Sequence, residues 1–118
     1  MNTVLLTGRV ASCPELIKLD SGKTVCNLFL ESVDGYWHRD LGWQPQFERH
    51  RIAFWAGLSR QAASALKEGD EIFIEGRLHT RGRVVEVVAS RFSIFDGKRE
   101  DGGDTEPSAK QQAVQIKT

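Results

Sequence analysis

Residues 48–55 (ERHRIAFW) constrain the fold most, because their side-chain character alternates with a period of two. Successive side chains of a β-strand point to opposite faces of a sheet, so the alternation predicts a half-buried strand with Ile52 and Phe54 in the core. The other face then carries two guanidinium groups and an indole, from Arg49, Arg51 and Trp55. Positive charge beside a flat ring suits a single nucleic-acid strand. An ordinary solvated strand face with one exposed ring explains these residues equally well.

The segments around this strand have the composition of further β-strands. They are residues 3–10, a short stretch at 15–19, and residues 24–32, 71–78 and 84–95. Gly8 predicts a bend that lets the first strand serve two sides of a small barrel, and residues 89–91 predict a bulge or bend in the last strand. A short helix is predicted by four apolar residues at helical spacing, Leu58, Ala62, Ala65 and Leu66.

This order of elements predicts an all-β fold, a five-stranded OB-fold (Greek-key) barrel with one short helix between strands 3 and 4. A β-sandwich is the alternative, but it usually has about seven strands and no such helix. In a chain of 118 residues one domain is expected, and we place it at residues 1–96. Residues 97–118 are polar and contain no aromatic side chain, which predicts a disordered tail.

Residues 33–47 show no clear period and contain Gly35, Gly42 and Pro45, so we interpret them as a long irregular loop. Disordered segments are poor in aromatic residues, whereas this one has four: Tyr36, Trp37, Trp43 and Phe47. One interpretation is a flap that stacks on bases, with Trp37 as its main ring. In the other, the rings close the core or pack against a second subunit.

The charge balance limits how the chain could bind nucleic acid. Its 16 basic and 16 acidic residues cancel, so a binding surface has to be a local patch. Most cations of the predicted domain are arginines, which stack on bases and pair with phosphates through a planar fork. The candidate cations are Arg39, Arg49, Arg51, Arg77, Arg81 and Arg83, and the candidate stacking rings are Trp37, Trp43, Phe47 and Trp55.

Enzyme and metal motifs are weak in this sequence. It has no Walker loop, no GxGxxG turn and no GxSxG nucleophile turn, so we expect no catalytic residue and no cofactor. The Cys and His residues do not have the spacing of zinc ligands, and no metal is expected. A metal-dependent nuclease is kept as an alternative because three carboxylates flank the aromatic segment, at Asp34, Asp40 and Glu48.

The two cysteines, Cys13 and Cys26, stand outside any CxxC pair. We therefore expect buried free thiols in a reducing compartment. The sequence shows no secretory leader and no apolar run of membrane-spanning length, so we expect a cytoplasmic protein without membrane association.

Four runs of residues resemble the bacterial single-stranded DNA-binding protein family. The most specific are residues 50–55 (HRIAFW) and 74–81 (IEGRLHTR), while residues 2–10 and 22–30 resemble the first two strands of that family. The resemblance extends over residues 2–96, the whole predicted domain. It implies an OB-fold that binds single-stranded DNA and has no enzymatic activity.

The same resemblance implies roles for individual residues. Bases would stack on Trp37 and Trp55, and phosphates would lie near Arg51 and Arg81. The family assembles as homo-oligomers, so a dimer or tetramer is implied, with His50 at a subunit contact.

Three features depart from the family pattern. The hairpin between the last two strands shrinks to residues 80–83 without a Trp, which removes a stacking ring and much of the usual surface between dimers. Arg49 stands where the family usually has an aromatic residue. The sequence ends QIKT instead of an acidic tip with Pro-Phe, so we do not expect replication or repair proteins to be recruited through such a tip.

These observations predict sequence-tolerant single-stranded DNA binding in replication, recombination or repair. Primosomal replication protein N, a short dimeric barrel without the acidic tip, is a more distant resemblance. It implies an alternative function, an adaptor that binds single-stranded DNA and protein during replication restart. In that case the Trp-rich segment would be a hot spot for protein binding.

Overall fold

The computed structural model describes residues 1–95, which form a barrel of five strands with one helix and one extra short strand. The elements are β1 (Val4–Val10), β2 (Glu15–Lys18), β3 (Thr24–His38), β4 (Gly42–Trp55), α1 (Gly57–Ala65), β5 (Glu71–Arg81) and β6 (Val84–Ile94). The predicted domain boundary at residue 96 and the predicted disordered tail of residues 97–118 lie outside the described residues.

The barrel closes in the order β1–β3–β4–β6–β5, and β5 pairs back onto β1. β4 and β6 pair in parallel, whereas the other pairs of the ring are antiparallel. β2 lies outside the ring and pairs with β3. The predicted all-β OB-fold is confirmed, with α1 between the third and fourth strands of the ring.

The core lies inside this ring and follows the predicted alternation. Its largest fully buried side chains include Leu30, Ile52, Phe54, Ile72 and Ile74. Fully burying such a side chain stabilises the fold by about 1.5–3 kcal/mol. From β4, Ile52 and Phe54 therefore fix which side of the strand faces inward, and the alternate residues are left for the outer surface.

Two backbone irregularities allow the strands to close. β1 pairs with β5 over residues 4–9 and also reaches β3 at Arg9 and Val10, and a Cβ at Gly8 would lie 2.4 Å from the carbonyl oxygen of Glu31. In the β5–β6 ladder Glu75 pairs with Arg91 but Gly76 pairs with Ala89, so Ser90 is an extra residue. Such a bulge bends and twists its strand. β1 thus serves two sides of the barrel near Gly8, as predicted, and the bulge at 89–91 is confirmed.

A tight junction between β4 and α1 places the end of β4. Ala56 adopts a positive φ of 54°, and the chain turns there into the helix. Ser59, in the first turn, is fully buried, donates to the carbonyl of Ala56 and lies 2.7 Å from the Thr24 hydroxyl. These contacts fix Trp55, the last residue of β4, against the start of β3.

The predicted irregular loop at residues 33–47 is wrong. β3 continues to His38 and β4 begins at Gly42, so the segment is a long hairpin that is paired residue by residue. Gly35 and Pro45 suggested breaks in the sequence, but they lie opposite each other in the ladder. The tip is closed locally, since the Nδ1 atom of His38 accepts hydrogen bonds from the N–H groups of Asp40 and Leu41 at 3.1 and 3.2 Å.

Candidate nucleic-acid interface

One side of the β3–β4 hairpin gathers most of the predicted site residues. Residues directly opposite each other in an antiparallel ladder share a face, and the register pairs Trp37 with Trp43, Phe29 with Arg51 and Val25 with Trp55. Phe47 and Arg49 follow at even spacing along β4. We call this side the aromatic face; its rings and cations are Phe29, Trp37, Trp43, Phe47, Arg49, Arg51 and Trp55.

The rings near the hairpin tip are exposed to solvent. Trp37 is 76% exposed, Phe47 62% and Trp43 50%, so these rings do not close the core. Trp37 and Trp43 meet edge to face with centroids 6.0 Å apart. The indole of Trp43 also covers Gly35, where an added Cβ would lie 2.3 Å from the ring. The tip therefore presents preformed flat surfaces of the kind on which bases stack.

Phe29 organises the two arginines of the aromatic face. The guanidinium carbons of Arg49 and Arg51 lie 5.4 and 5.0 Å from the Phe29 ring centroid, within the range of cation–π attraction. Both side chains are held over the sheet by the ring between them. Sequence reasoning missed Phe29, although its alternation with buried Leu28 and Leu30 already indicated that it faces outward.

A groove next to the end of β4 brings Trp55 together with predicted cations from β5. Arg77 and Arg81 line it together with Trp55, as predicted. We call it the basic groove; it is lined by Lys23, Trp55, Arg77, His79, Arg81, Glu86 and Val88. Lys23 and His79 were not predicted. The spacing of His79 from Arg77 and Arg81 along β5 nevertheless indicates that these three side chains share one face of the strand.

The remaining two candidate cations lie at hairpin turns. Arg39 is exposed in the turn between β3 and β4, and Arg83 is exposed in the two-residue turn between β5 and β6. Neither belongs to the rows of side chains that form the aromatic face.

The other side of the hairpin has a different composition. We call it the polar face; it carries Ser32, Asp34, Tyr36, Gln44, Gln46, Glu48 and His50. His50 is half-buried, and its Nε2 atom lies 2.9 Å from the Ser32 hydroxyl. The residue that the resemblance places at a subunit contact is thus on the side of the hairpin away from the aromatic rings.

The two cysteines occupy different environments. Cys26 is fully buried, and burial raises the pKa of its thiol. Cys13 is exposed in a small groove that also includes Phe29 and Arg51, so the prediction that both thiols are buried is wrong for Cys13. Both are free, as predicted. Cys13 follows a bend at Ser12, whose hydroxyl accepts a hydrogen bond from the N–H group of Phe29 at 2.9 Å.

Within residues 1–95 no three His, Cys, Asp or Glu side chains are grouped in a way that could hold a metal ion. Asp34 and Glu48, two of the three carboxylates considered for a nuclease, do share the polar face. In the same part of the chain no helix is long and apolar enough to cross a membrane.

Together, these strands define an OB-fold domain with exposed rings and arginines on one face of its long hairpin. A comparison with protein-family models matches residues 1–94 to the single-strand binding protein family. The chain belongs to this family.

Curated relatives agree with this assignment. Single-stranded DNA-binding protein 1 of Chlorobaculum tepidum is 30% identical over 121 residues, which cover 94% of this chain and 75% of that protein. The single-stranded DNA-binding proteins of two Neisseria meningitidis strains, serogroups A and B, are 27% identical over 112 residues. The match covers 87% of this chain and 64% of those proteins.

Solved structures share the fold. The single-strand binding protein of Plasmodium falciparum, in complex with single-stranded DNA, superposes with a TM-score of 0.70 at 21% identity, covering 80% of this chain and 92% of that one. The small single-stranded DNA-binding protein of Streptomyces coelicolor gives 0.69 at 21% identity, covering 81% and 94%.

Proposed function

We propose that the chain binds single-stranded DNA with little regard to sequence, stacking bases on the aromatic face and holding phosphates with the arginines around it. Its family is one of non-enzymatic single-stranded DNA-binding proteins. The observation that carries the proposal is the register of β3 and β4, which brings Trp37, Trp43, Phe47, Arg49 and Arg51 to one exposed face.

The chemistry of the aromatic face fits a single strand better than a duplex. Stacking on aromatic side chains contributes about 1–3 kcal/mol per base and tolerates any base, since every base has a flat face. A strand rises about 3.3–3.4 Å per residue, so Trp43 and Phe47, four residues apart in β4, are separated by about 13 Å along the strand, which is far enough for each ring to stack on a different base. A duplex keeps its bases stacked inside and does not offer those faces.

The arginines supply a local electrostatic attraction for phosphates, which the net charge of the chain does not provide. Formal net charge is zero, so phosphate binding has to come from the local cations Arg49, Arg51, Arg77 and Arg81. Neutralising phosphates releases condensed counterions, and affinity should therefore fall as salt concentration rises. The phosphate contribution would be smaller than in a strongly basic protein.

The proposal includes self-association and a cellular setting. A homo-oligomer, either a dimer or a tetramer, is supported by the family assignment, with His50 at the contact between subunits. The process would be replication, recombination or repair, and the compartment the cytoplasm, where such DNA intermediates arise. Light scattering of the protein and of a His50→Ala variant tests the contact, since loss of the oligomer is expected only if His50 lies there.

The first test of DNA binding is intrinsic Trp fluorescence titrated with poly-dT at two salt concentrations, with the DNA run on a gel afterwards. Quenching that weakens with salt over intact DNA supports the proposal. Absence of quenching and of a retained complex at low salt would contradict it and favour a protein-binding adaptor. Shortened DNA would favour a nuclease.

A further inference from the structure

The basic groove contains a residue whose charge opposes DNA binding. Glu86 on β6 is only 3% exposed and lies among the exposed cations Lys23, Arg77 and Arg81. A buried carboxylate loses hydration, which is costly unless cations compensate it. By its charge alone it would also repel a phosphate, so its place at the base of a phosphate-binding groove requires a reason.

Glu86 lies opposite His79 in the β5–β6 ladder and forms an ion pair with Arg81. The Nη2 atom of Arg81 lies 3.6 Å from the Oε1 atom of Glu86, and the Arg81 side chain is 62% exposed while that of Glu86 is 3% exposed. One end of the pair is therefore fixed in the sheet and the other reaches solvent. A guanidinium has five N–H donors, so donors remain free when one edge faces the carboxylate.

The position of Arg81 explains why such an anchor is useful. It is the last residue of β5, next to the turn at Gly82 and Arg83, where a long side chain would otherwise sample many rotamers. Ordering such a side chain on binding costs entropy, and ordering it beforehand raises affinity. Trp55 lines the same groove, so an ordered Arg81 stands beside a ring on which a base can stack.

We propose that Glu86 is a positioning residue of the DNA-binding surface, which holds Arg81 in the basic groove so that its free donors meet the phosphate next to the base stacked on Trp55. The inference rests on the proposed function. Removing the negative charge of Glu86 is therefore expected to weaken binding to a polyanion, although charge alone would predict the opposite.

The chain offers a matched control in the same two strands. Glu75 on β5 pairs with Arg91 on β6, and Arg91 lies over the Phe73 ring at 5.6 Å. This pair crosses the same ladder as Arg81 and Glu86 but lies outside the basic groove. If breaking any Glu–Arg pair between β5 and β6 weakened DNA binding, substitutions of Glu75 and of Glu86 would have the same effect.

The experiment measures the affinity of a fluorescently labelled oligo-dT by anisotropy over a range of salt concentrations, for the unaltered chain, Glu86→Gln, Arg81→Ala, the double variant and Glu75→Gln. We expect Glu86→Gln to weaken binding by about tenfold, the effect of losing one charge-assisted hydrogen bond. The slope of log affinity against log salt should fall by about one, as for the loss of one phosphate contact. The double variant should bind no more weakly than Arg81→Ala alone, and Glu75→Gln should bind like the unaltered chain.

Unchanged or tighter binding by folded Glu86→Gln would overturn the inference, because the effect of Glu86 on DNA affinity would then need no explanation beyond repulsion by its charge. Effects of Glu86→Gln and Arg81→Ala that add would also overturn it, since independent residues add. If Glu86→Gln does not fold, Glu86→Asp, which keeps the charge but withdraws it from Arg81, takes its place with the same expected weakening. An unaltered chain that does not bind oligo-dT would refute the proposed function, and this inference with it.

Discussion

The aromatic face and the polar face of the β3–β4 hairpin are built from the same two strands, with their residues alternating along the chain. From residue 43 to residue 51, β4 places Trp43, Phe47 and Arg51 on one side and Gln46 and Glu48 on the other. Both sides are exposed in this part of the hairpin, so burial does not explain the difference.

The comparison shows that a binding surface can impose the same two-residue alternation on a strand sequence as a buried core does. Inside the barrel, the alternation in β3 and β4 separates the fully buried Leu28, Leu30, Ile52 and Phe54 from the more accessible Phe29 and Arg51. Beyond the barrel it places the Trp37, Trp43 and Phe47 rings on one side, and Gln44, Gln46 and Glu48, together with Tyr36, on the other. A hairpin that is solvated on both sides has no need of exposed Trp rings for its stability, and their segregation to one face therefore indicates a ligand.

The largest expected effect comes from removing a ring of the aromatic face and comparing it with a ring of the polar face. Trp55→Ala should weaken oligo-dT binding by about 1–3 kcal/mol, the contribution of one stacked base. Tyr36→Ala, which removes a ring that is 49% exposed on the polar face, should leave affinity unchanged. Anisotropy of a labelled oligo-dT measures both, and thermal melting checks that each variant is folded. Equal losses for the two variants would remove the distinction between the faces.

A smaller loss of DNA affinity is expected when the packing of the Trp43 ring against Gly35 is altered. Gly35→Ala places a Cβ 2.3 Å from the Trp43 indole and 2.7 Å from the carbonyl oxygen of Gln44, so the ring has to move. Overpacking of this kind costs about 1–3 kcal/mol, and we expect part of that cost to appear as weaker DNA binding. The matched control is Gly57→Ala, where an added Cβ meets no atom within 4 Å. Gly35→Ala with full affinity would show that Trp43 does not depend on this contact.

The charges of the two faces provide the next comparison. Arg51→Ala should weaken binding most at low salt and reduce the slope of log affinity against log salt by about one, because one phosphate contact is lost. Glu48→Gln, on the polar face, should leave that slope unchanged. A salt titration of each variant measures the slopes. An unchanged slope for Arg51→Ala would place that guanidinium away from the phosphates.

The smallest effect is on the reactivity of Cys13. Burial raises the pKa of the Cys26 thiol, so at neutral pH little of it is thiolate and a thiol reagent should modify Cys13 first. Cys13 lines a groove with Phe29 and Arg51, and bound oligo-dT should therefore slow its modification. The rate of reaction with a chromogenic disulfide, with and without DNA, measures this. Cys26 should react only after denaturation, which provides the internal control.

Much of the barrel could be predicted from the sequence because its core follows a period of two. Ile52 and Phe54 alternate with Arg51 and Trp55 strictly enough to fix both the strand and its inner face. Gly8 was also a usable signal, since its missing side chain lets β1 approach the Glu31 carbonyl closely. Pairing partners such as β4 with β6, by contrast, depend on long-range closure of the ring, which periodicity alone does not reveal.

The error at residues 33–47 has a specific physical origin. Glycine and proline disfavour strands in general, so Gly35 and Pro45 predict breaks, although the alternation of Trp43 and Phe47 with Gln44 and Gln46 continues past Pro45. Cross-strand contacts decided the outcome, since Trp43 packs over Gly35. Glu86 was missed for a related reason, because its burial and its contact with Arg81 exist only once β5 and β6 are paired.

The central claim, that DNA lies along the aromatic face, is tested most directly by ultraviolet cross-linking of oligo-dT to the protein, with the modified residues mapped by mass spectrometry. Rings on both sides of the hairpin are accessible, including Tyr36 on the polar face, so the pattern reports which side the bases contact. We predict adducts on Trp37, Trp43, Phe47 and Trp55 and none on Tyr36. Adducts on Tyr36 with the four other rings unmodified would contradict the account.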